Sequence, residues 1–259
     1  MTRDTKQNDG SAGDANYGVI GTRYSQYRNP EPKIAALIHS YLGDAKTVLN
    51  VGAGAGSYEP IDRDVTAVEP SATMRAQRPS HLSPAIEAIA EALPFDDKSF
   101  DASMATFTIH QWKDLSRGLA EMRRVTRGPV LLLSCVPEEV CAFWLHDYAP
   151  KVLETEARRY PTRAAIEAGL AQPVELVPVP IPLTCQDGFN EAYYGRPEML
   201  LDPGARTSCS AWSFVAPETA DAYVAHLAQD LASGAWDTTY GTLRTAPFYH
   251  GSLYVFVSR

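Results

Sequence analysis

Residues 47–56, TVLNVGAGAG, restrict the fold more than any other stretch of this 259-residue chain. A short apolar, β-branched run breaks off into glycines at 52, 54 and 56. A strand without polar alternation is buried on both faces, as in a parallel sheet covered by helices on each side. Glycine loses more conformational freedom on folding than any other residue, so three in five positions need a cause. Either the backbone turns sharply here, or another group approaches it more closely than a side chain would allow. A strand that ends in glycines and gives way to a helix binds nucleotides at the carboxyl edge of a parallel sheet. A tight strand-to-helix turn without a ligand is the alternative.

The flanking pattern extends that reading. Residues 32–42, PKIAALIHSYL, carry apolar side chains at helical spacing and stop at Gly43. A second strand is predicted at 64–70, with Ser71 capping a helix after it. An edge-ward third strand follows at 84–89 and a fourth beginning near Asp101. LSRGLAEMRRVT (115–126) has the stripe of an amphipathic helix, and PVLLLSC (129–135) is a fully apolar fifth strand. Alternating strands and helices specify a parallel sheet with helices on both faces. Beyond 137 the pattern turns helical, with a second helix near 162–170. A proline-interrupted edge strand is predicted at 173–183, a loop-rich aromatic insertion to 216, a helix at 216–234 and a last strand, SLYVFVSR.

Composition narrows the function classes. Net charge is −8, which opposes nucleic-acid binding, because displacing counterions from phosphates requires a basic footprint. Cys135, Cys141, Cys185 and Cys209 form no CxxC pair and no metal-ligand rhythm, so free thiols in a reducing cytoplasm, and no metal, are expected. No run is apolar for long enough to span a bilayer. Residues 1–16 lack the core of a signal peptide and read as a disordered tail ahead of a single domain, 17–259.

A dinucleotide fingerprint, G-x-G-x-x-G, fits Gly52 and Gly54 but meets Ser57 at its sixth position, so a nicotinamide-dependent oxidoreductase is the weaker alternative. Glu69, 17 residues past Gly52, ends the second strand where an acid reaches a ribose diol from the neighbouring strand tip. In the order VLNVGAGAGSYE, VTAVEPSATM, AEALPFDDKSFDASMATFTIHQW and LAEMRRV, the chain resembles the class I S-adenosylmethionine-dependent methyltransferases, closest to the small-molecule group related to ubiquinone- and biotin-pathway enzymes.

The resemblance implies a Rossmann-like, doubly wound, mostly parallel seven-stranded α/β sheet with an antiparallel last strand and a helical, aromatic lid insertion. It implies a cofactor cover at 17–43, a cofactor-binding core at 44–136, substrate-side additions at 137–216 and a final helix and strand at 217–259. S-adenosyl-L-methionine would be the cofactor and S-adenosyl-L-homocysteine the product. Gly52, Ala53 and Gly54 would pass under the methionine moiety, Glu69 with Pro70 would hold the ribose, and Met74 would lie on the adenine. Ala90, Glu91 and Ala92 would read the adenine edge, although Ile89 stands where relatives carry Asp. Tyr24 and Arg28 would fold over the cofactor, Arg28 against its carboxylate, and Thr106 would line the groove.

His110, near the tip of the fourth strand, is either a general base or a residue that shapes the pocket. With His110, the expected acceptor contacts are Trp112, Trp144, Tyr193, Tyr194 and Arg196. The expected activity is methyl transfer to O or N of a small, aromatic or heteroaromatic metabolite, by a monomer or homodimer without nucleic-acid or membrane partners. C-methylation and a non-catalytic cofactor-binding protein remain alternatives.

Overall fold

The computed structural model describes residues 24–259, with side chains from Gln26 onward. The expectations for residues 1–16 and for the Tyr24 side chain fall outside them. Eight strands occur among these residues: β1 (Thr47–Val51), β2 (Asp64–Val68), β3 (Ala102–Thr106), β4 (Val130–Cys135), β5 (Glu175–Pro178), β6 (Ile181–Pro182), β7 (Phe248–Tyr249) and β8 (Leu253–Ser258). Six form one sheet in the order β2-β1-β3-β4-β8-β5, and β6 pairs with β7 in a separate ribbon. β2, β1, β3 and β4 run parallel, whereas β8 is antiparallel to both its neighbours.

The sheet therefore has one strand fewer than the seven expected. Residues 84–89 contribute a single parallel bridge between Val68 and Ile86. Glu69 donates its N–H to Ile86 O (3.0 Å) and Ile86 returns one to Ala67 O (2.8 Å). The pairing stops there because Pro84 has no N–H to give, and Ile86 and Ile89 stay 42% and 49% exposed, with no layer to bury them.

The apolar run that opened the argument behaves as a strand covered twice over: Val48, Leu49, Asn50 and Val51 are all buried. Val48 belongs to the hydrophobic cluster on one sheet face and Leu49 to the cluster on the other. On Val48's side packs the helix Pro32–Tyr41, begun by proline and capped by Glu31, whose carboxylate accepts from Lys33 N; Ile34 and Ile38 fill its inner face. On Leu49's side packs the helix Leu115–Val125, capped by Asp114, with Leu119, Met122 and Val125 buried and basic residues in its last turn. Each such side chain stabilises the fold by about 1.5–3 kcal/mol.

Gly118 in that helix sits under Trp112. A Cβ there would lie 2.5 Å from Trp112 Cε3, so the missing side chain lets the indole lie on the helix at the end of the segment after β3. The helix Pro217–Ser233 ends at Gly234 in the left-handed region, as its glycine stop predicts. The edge position of β5 also agrees with its prolines.

Candidate active site

The carboxyl ends of β1, β2 and β3 open into a cleft of about 450 Å³. Its floor is the glycine turn. Gly52 and Gly54 have φ of +68° and +53°, a region that L side chains rarely adopt. A Cβ on Gly52 would overlap the Thr108 side chain, and one on Gly54 would stand 3.3 Å from Met74 Cε. Sharp turning and close approach therefore both apply here, and the close approach to Gly52 is made by Thr108. Gly56, at φ +97°, is closed in by Leu82 and Arg78. Arg78 grips Glu59 through two 2.9 Å bonds, and Glu59 also accepts from the buried Asn50 (3.0 Å), which ties the end of the turn to β1.

Glu69 lies on the cleft wall, 7% exposed. Gly54 N donates to its Oε2 (2.9 Å) and Ser71 N to its Oε1 (2.8 Å), so the carboxylate is held by two backbone amides at one orientation. Pro70, Met74, Ala90, Glu91, Thr106 and Trp112 also line the cleft, as does Ala53 with the glycines beside it. Glu91 Oε1 accepts from Asp114 N (3.1 Å), which ties that carboxylate to the start of the following helix.

Arg28 reaches the cleft as well, ion-paired with Asp187 through Nε and, at 3.4 Å, through Nη2. Tyr58, itself at φ +64°, donates its hydroxyl to Asp187 Oδ2 (2.7 Å), the oxygen that Arg28 Nη2 also reaches. Burial, then the Asp187 charge, push the Tyr58 phenol well above its ordinary pKa, so it remains a donor. Asp187 was not foreseen: an isolated acid in a loop 159 residues from Arg28 leaves no local signal. Phe107 was also missed. It occupies the left-handed region at φ +52°, an outlier for a bulky side chain, with its ring 5.4 Å from Phe189 and the Arg28 guanidinium 4.9 Å above it.

Other expected site residues stand elsewhere. Ala92 is exposed and off the cleft wall. His110 lies behind that wall, 7% exposed and edge-on to Tyr160 at 4.8 Å. Burial, then the charges of Arg159 and Arg28, depress the His110 pKa well below its usual value, so the ring is uncharged at neutral pH. Trp144, Tyr193 and Tyr194 form part of the core of the added helices, where burial of large apolar surface outweighs exposure to a ligand. Trp144 Nε1 donates to Tyr194 O (3.0 Å), and the Tyr194 hydroxyl donates to Ala246 O (2.6 Å). Arg196 spends its Nη2 on the carbonyls of Cys185 (2.8 Å) and Ala192 (3.0 Å). Among the described residues the insertion gives the cleft Asp187 and no aromatic lid.

A turn of bare backbone, an oriented acid beside it and a thioether beneath suit an adenosyl cofactor. The buried carboxamide of Gln111, on the cleft wall with neither N nor O partnered, marks unmet polar demand there.

Residues 49–134 match the family model described as a methyltransferase domain. A crystal structure from Anabaena variabilis ATCC 29413, described as a "putative methyltransferase from antibiotic biosynthesis pathway", is 27% identical with a TM-score of 0.82, covering 91% of this chain and 100% of that one. Malonyl-[acyl-carrier protein] O-methyltransferases are 31% identical over 143 residues in Erwinia pyrifoliae (50% of this chain, 55% of that one) and 30% over 121 residues in Pseudescherichia vulneris (44% and 48%). The chain spans about half the length of these curated relatives. Sheet order, glycine turn and family match together define a nucleotide-cofactor α/β fold of the methyltransferase type. Residues 49–134 carry a methyltransferase domain, and the chain is similar in sequence and fold to class I S-adenosylmethionine-dependent methyltransferases, which supports S-adenosyl-L-methionine as the cofactor.

Proposed function

We propose that this protein transfers a methyl group from S-adenosyl-L-methionine to an oxygen or nitrogen atom of a small acceptor with an aromatic or heteroaromatic body. The observation that carries the reading is the cleft itself, where the Glu69 carboxylate, aimed by two backbone amides, stands beside a glycine turn whose backbone lines the floor. Its volume, about 450 Å³, is that of a small-molecule site. Phe107 and Trp112 supply aromatic surface for the acceptor, and the net charge of −8 disfavours a polyanion. The O-methyltransferase relatives favour oxygen over carbon as the methylated atom.

In this reading Glu69 accepts the ribose hydroxyls, the 52–54 backbone underlies the methionine moiety, and Met74 with Pro70 packs on the adenine. Arg28, held by Asp187, borders the methionine end. Bound there, the sulfonium supplies an electrophilic methyl, and the remaining work is alignment, worth about 7–11 kcal/mol in well-oriented systems. His110, uncharged and off the cleft wall, packs edge-on against Tyr160 and has no catalytic part in this reading.

Titration calorimetry with S-adenosyl-L-methionine tests the site. Glu69→Gln removes the charge from two hydroxyl contacts and is expected to weaken binding by about 2 kcal/mol, roughly thirtyfold. Equal affinities of variant and parent overturn the assignment of Glu69. No heat at about millimolar cofactor overturns the function.

A further inference from the structure

Behind Phe107 lies a second, enclosed space. Phe107 belongs to the walls of both cavities, so its ring is the partition between them. The inner chamber has a free volume of about 10 Å³, the room that one water needs. Phe189 also lines it, with Glu156, Tyr160, Cys135, Asn190, Glu191 and Ser252.

Two carboxylates, Glu156 and Glu191, face the chamber together with the hydroxyls of Tyr160 and Ser252 and the thiol of Cys135, and among the described residues no cationic side chain lines it. Asn190 gives its Nδ2 to Glu156 Oε2 (2.7 Å) and takes the Trp212 indole N–H on Oδ1 (3.1 Å). Ser252 N is committed to Glu191 Oε1 (2.8 Å), and the Tyr160 hydroxyl leans on Glu156 Oε1 (3.4 Å). What remains without a hydrogen-bond partner is Glu191 Oε2, in a residue 6% exposed, and the Ser252 hydroxyl. A buried carboxylate oxygen without a partner is costly unless something fills the place.

Charge points the same way. The cations near Glu156 are Arg159 and Arg28; Arg28 is paired with Asp187, and Arg159 donates to Ser210 (2.9 Å) and stacks over Phe214. Two ionised glutamates against Arg159 alone leave one negative charge in excess. Burial accordingly pushes Glu191 up to about 7 and raises Glu156 as well. An ammonium head is water-sized, carries three donors and no acceptor, supplies the missing charge and is favoured beside aromatic rings such as those lining the chamber.

Resting on the methyltransferase reading, we propose that this chamber is an acceptor-anchoring subsite for a protonated amine, held by Glu191 and Glu156, with the acceptor's body reaching the cleft past Phe107 and Phe189. The volume admits the head group alone, so the body and the methylated atom lie on the cleft side of the partition.

The test is calorimetry on the full chain saturated with S-adenosyl-L-homocysteine, near neutral pH. Phenethylammonium and n-butylammonium are each titrated against their alcohols, 2-phenylethanol and n-butanol, with 3-phenylpropionate as the anion. At least one amine is expected to bind about tenfold tighter than its alcohol. Glu191→Gln and Glu156→Gln are expected to erase that preference while homocysteine-cofactor affinity stays unchanged. Equal binding of amines and alcohols, preference for the anion, or no binding of any probe to the loaded protein overturns the subsite and leaves the methyltransferase reading standing. Failure of the cofactor itself to bind overturns the reading beneath it. Should the variants fail to fold, the parent protein's amine-to-alcohol ratio decides alone.

Discussion

The two sides of the cleft are held in place over different distances along the chain. On one side, Glu69 is fixed by Gly54, 15 residues away, and by Ser71, two residues away. On the other, Asp187 joins Arg28 and Tyr58 across 159 and 129 residues. The first side is built by a strand, a turn and the next strand tip, so it forms with the local fold. The second exists only after the late insertion has closed onto the amino-terminal helices. Damage to the long-range side should therefore register in global stability, and damage to the short-range side in turn geometry and cofactor affinity.

Asp187→Ala should break the comparison open most widely. It removes the carboxylate ion-paired with the Arg28 guanidinium, whose side chain is 10% exposed, and takes an acceptor from the buried Tyr58 hydroxyl. Removing one partner of a buried pair costs about 3–5 kcal/mol, and a urea midpoint shift of that size is expected. Asp187→Asn, which keeps an acceptor for Tyr58, should lose less. If both variants unfold at the parent's midpoint, the long-range side is not held as described.

Glu191 sharpens the same side through pH. Its carboxyl is raised from 4.5 to about 7 by burial, so the folded state keeps a proton that the unfolded chain has released. Its contribution is full below about pH 4.5 and is lost as pH climbs towards 7, with a limit of about 3 kcal/mol. Glu191→Gln should flatten that part of the stability-against-pH curve and leave the variant the more stable above neutrality. A parent curve with no decline over this window counts against the burial of an unpaired acid.

On the short-range side, Gly52→Ala meets both the φ of +68° and the Thr108 side chain, and should cost about 2 kcal/mol in thermal or urea unfolding. Gly52→Ala with Thr108→Ala removes the overlap and should recover part of the loss, leaving the backbone strain. Full recovery would mean that the left-handed conformation costs nothing, and no recovery that Thr108 is not the neighbour that matters.

The same division explains what could be read from the residues alone. The β1 run, the glycines and Glu69 carry their meaning in local order, and the sheet from β1 to β4 followed from alternating apolar runs. The strand expected at 84–89 failed because pairing needs a partner layer, which period-two spacing does not reveal. Trp144, Tyr193 and Tyr194 look like pocket aromatics as a cluster, yet an added helical layer needs its own core and they fill it. Asp187 and the strained Phe107 left no trace, since an ion pair over such a separation and a positive φ at phenylalanine are products of the closed fold.

Ile89 offers the smallest effect and the sharpest contrast between the two sides. It lies on the cleft wall, 49% exposed, immediately before Ala90. Its side chain contributes little burial to lose, and Glu91 is occupied by Asp114 N. An acid at 89 would therefore give the adenine amino group an acceptor that the wall otherwise leaves to backbone carbonyls. Ile89→Asp is expected to tighten S-adenosyl-L-methionine binding by about 1 kcal/mol, roughly fivefold, with unfolding unchanged. The gain should disappear for S-inosylmethionine, which has no exocyclic amine to donate. A gain that persists with the inosyl analogue would place the adenine edge elsewhere and transfer its recognition to the long-range side.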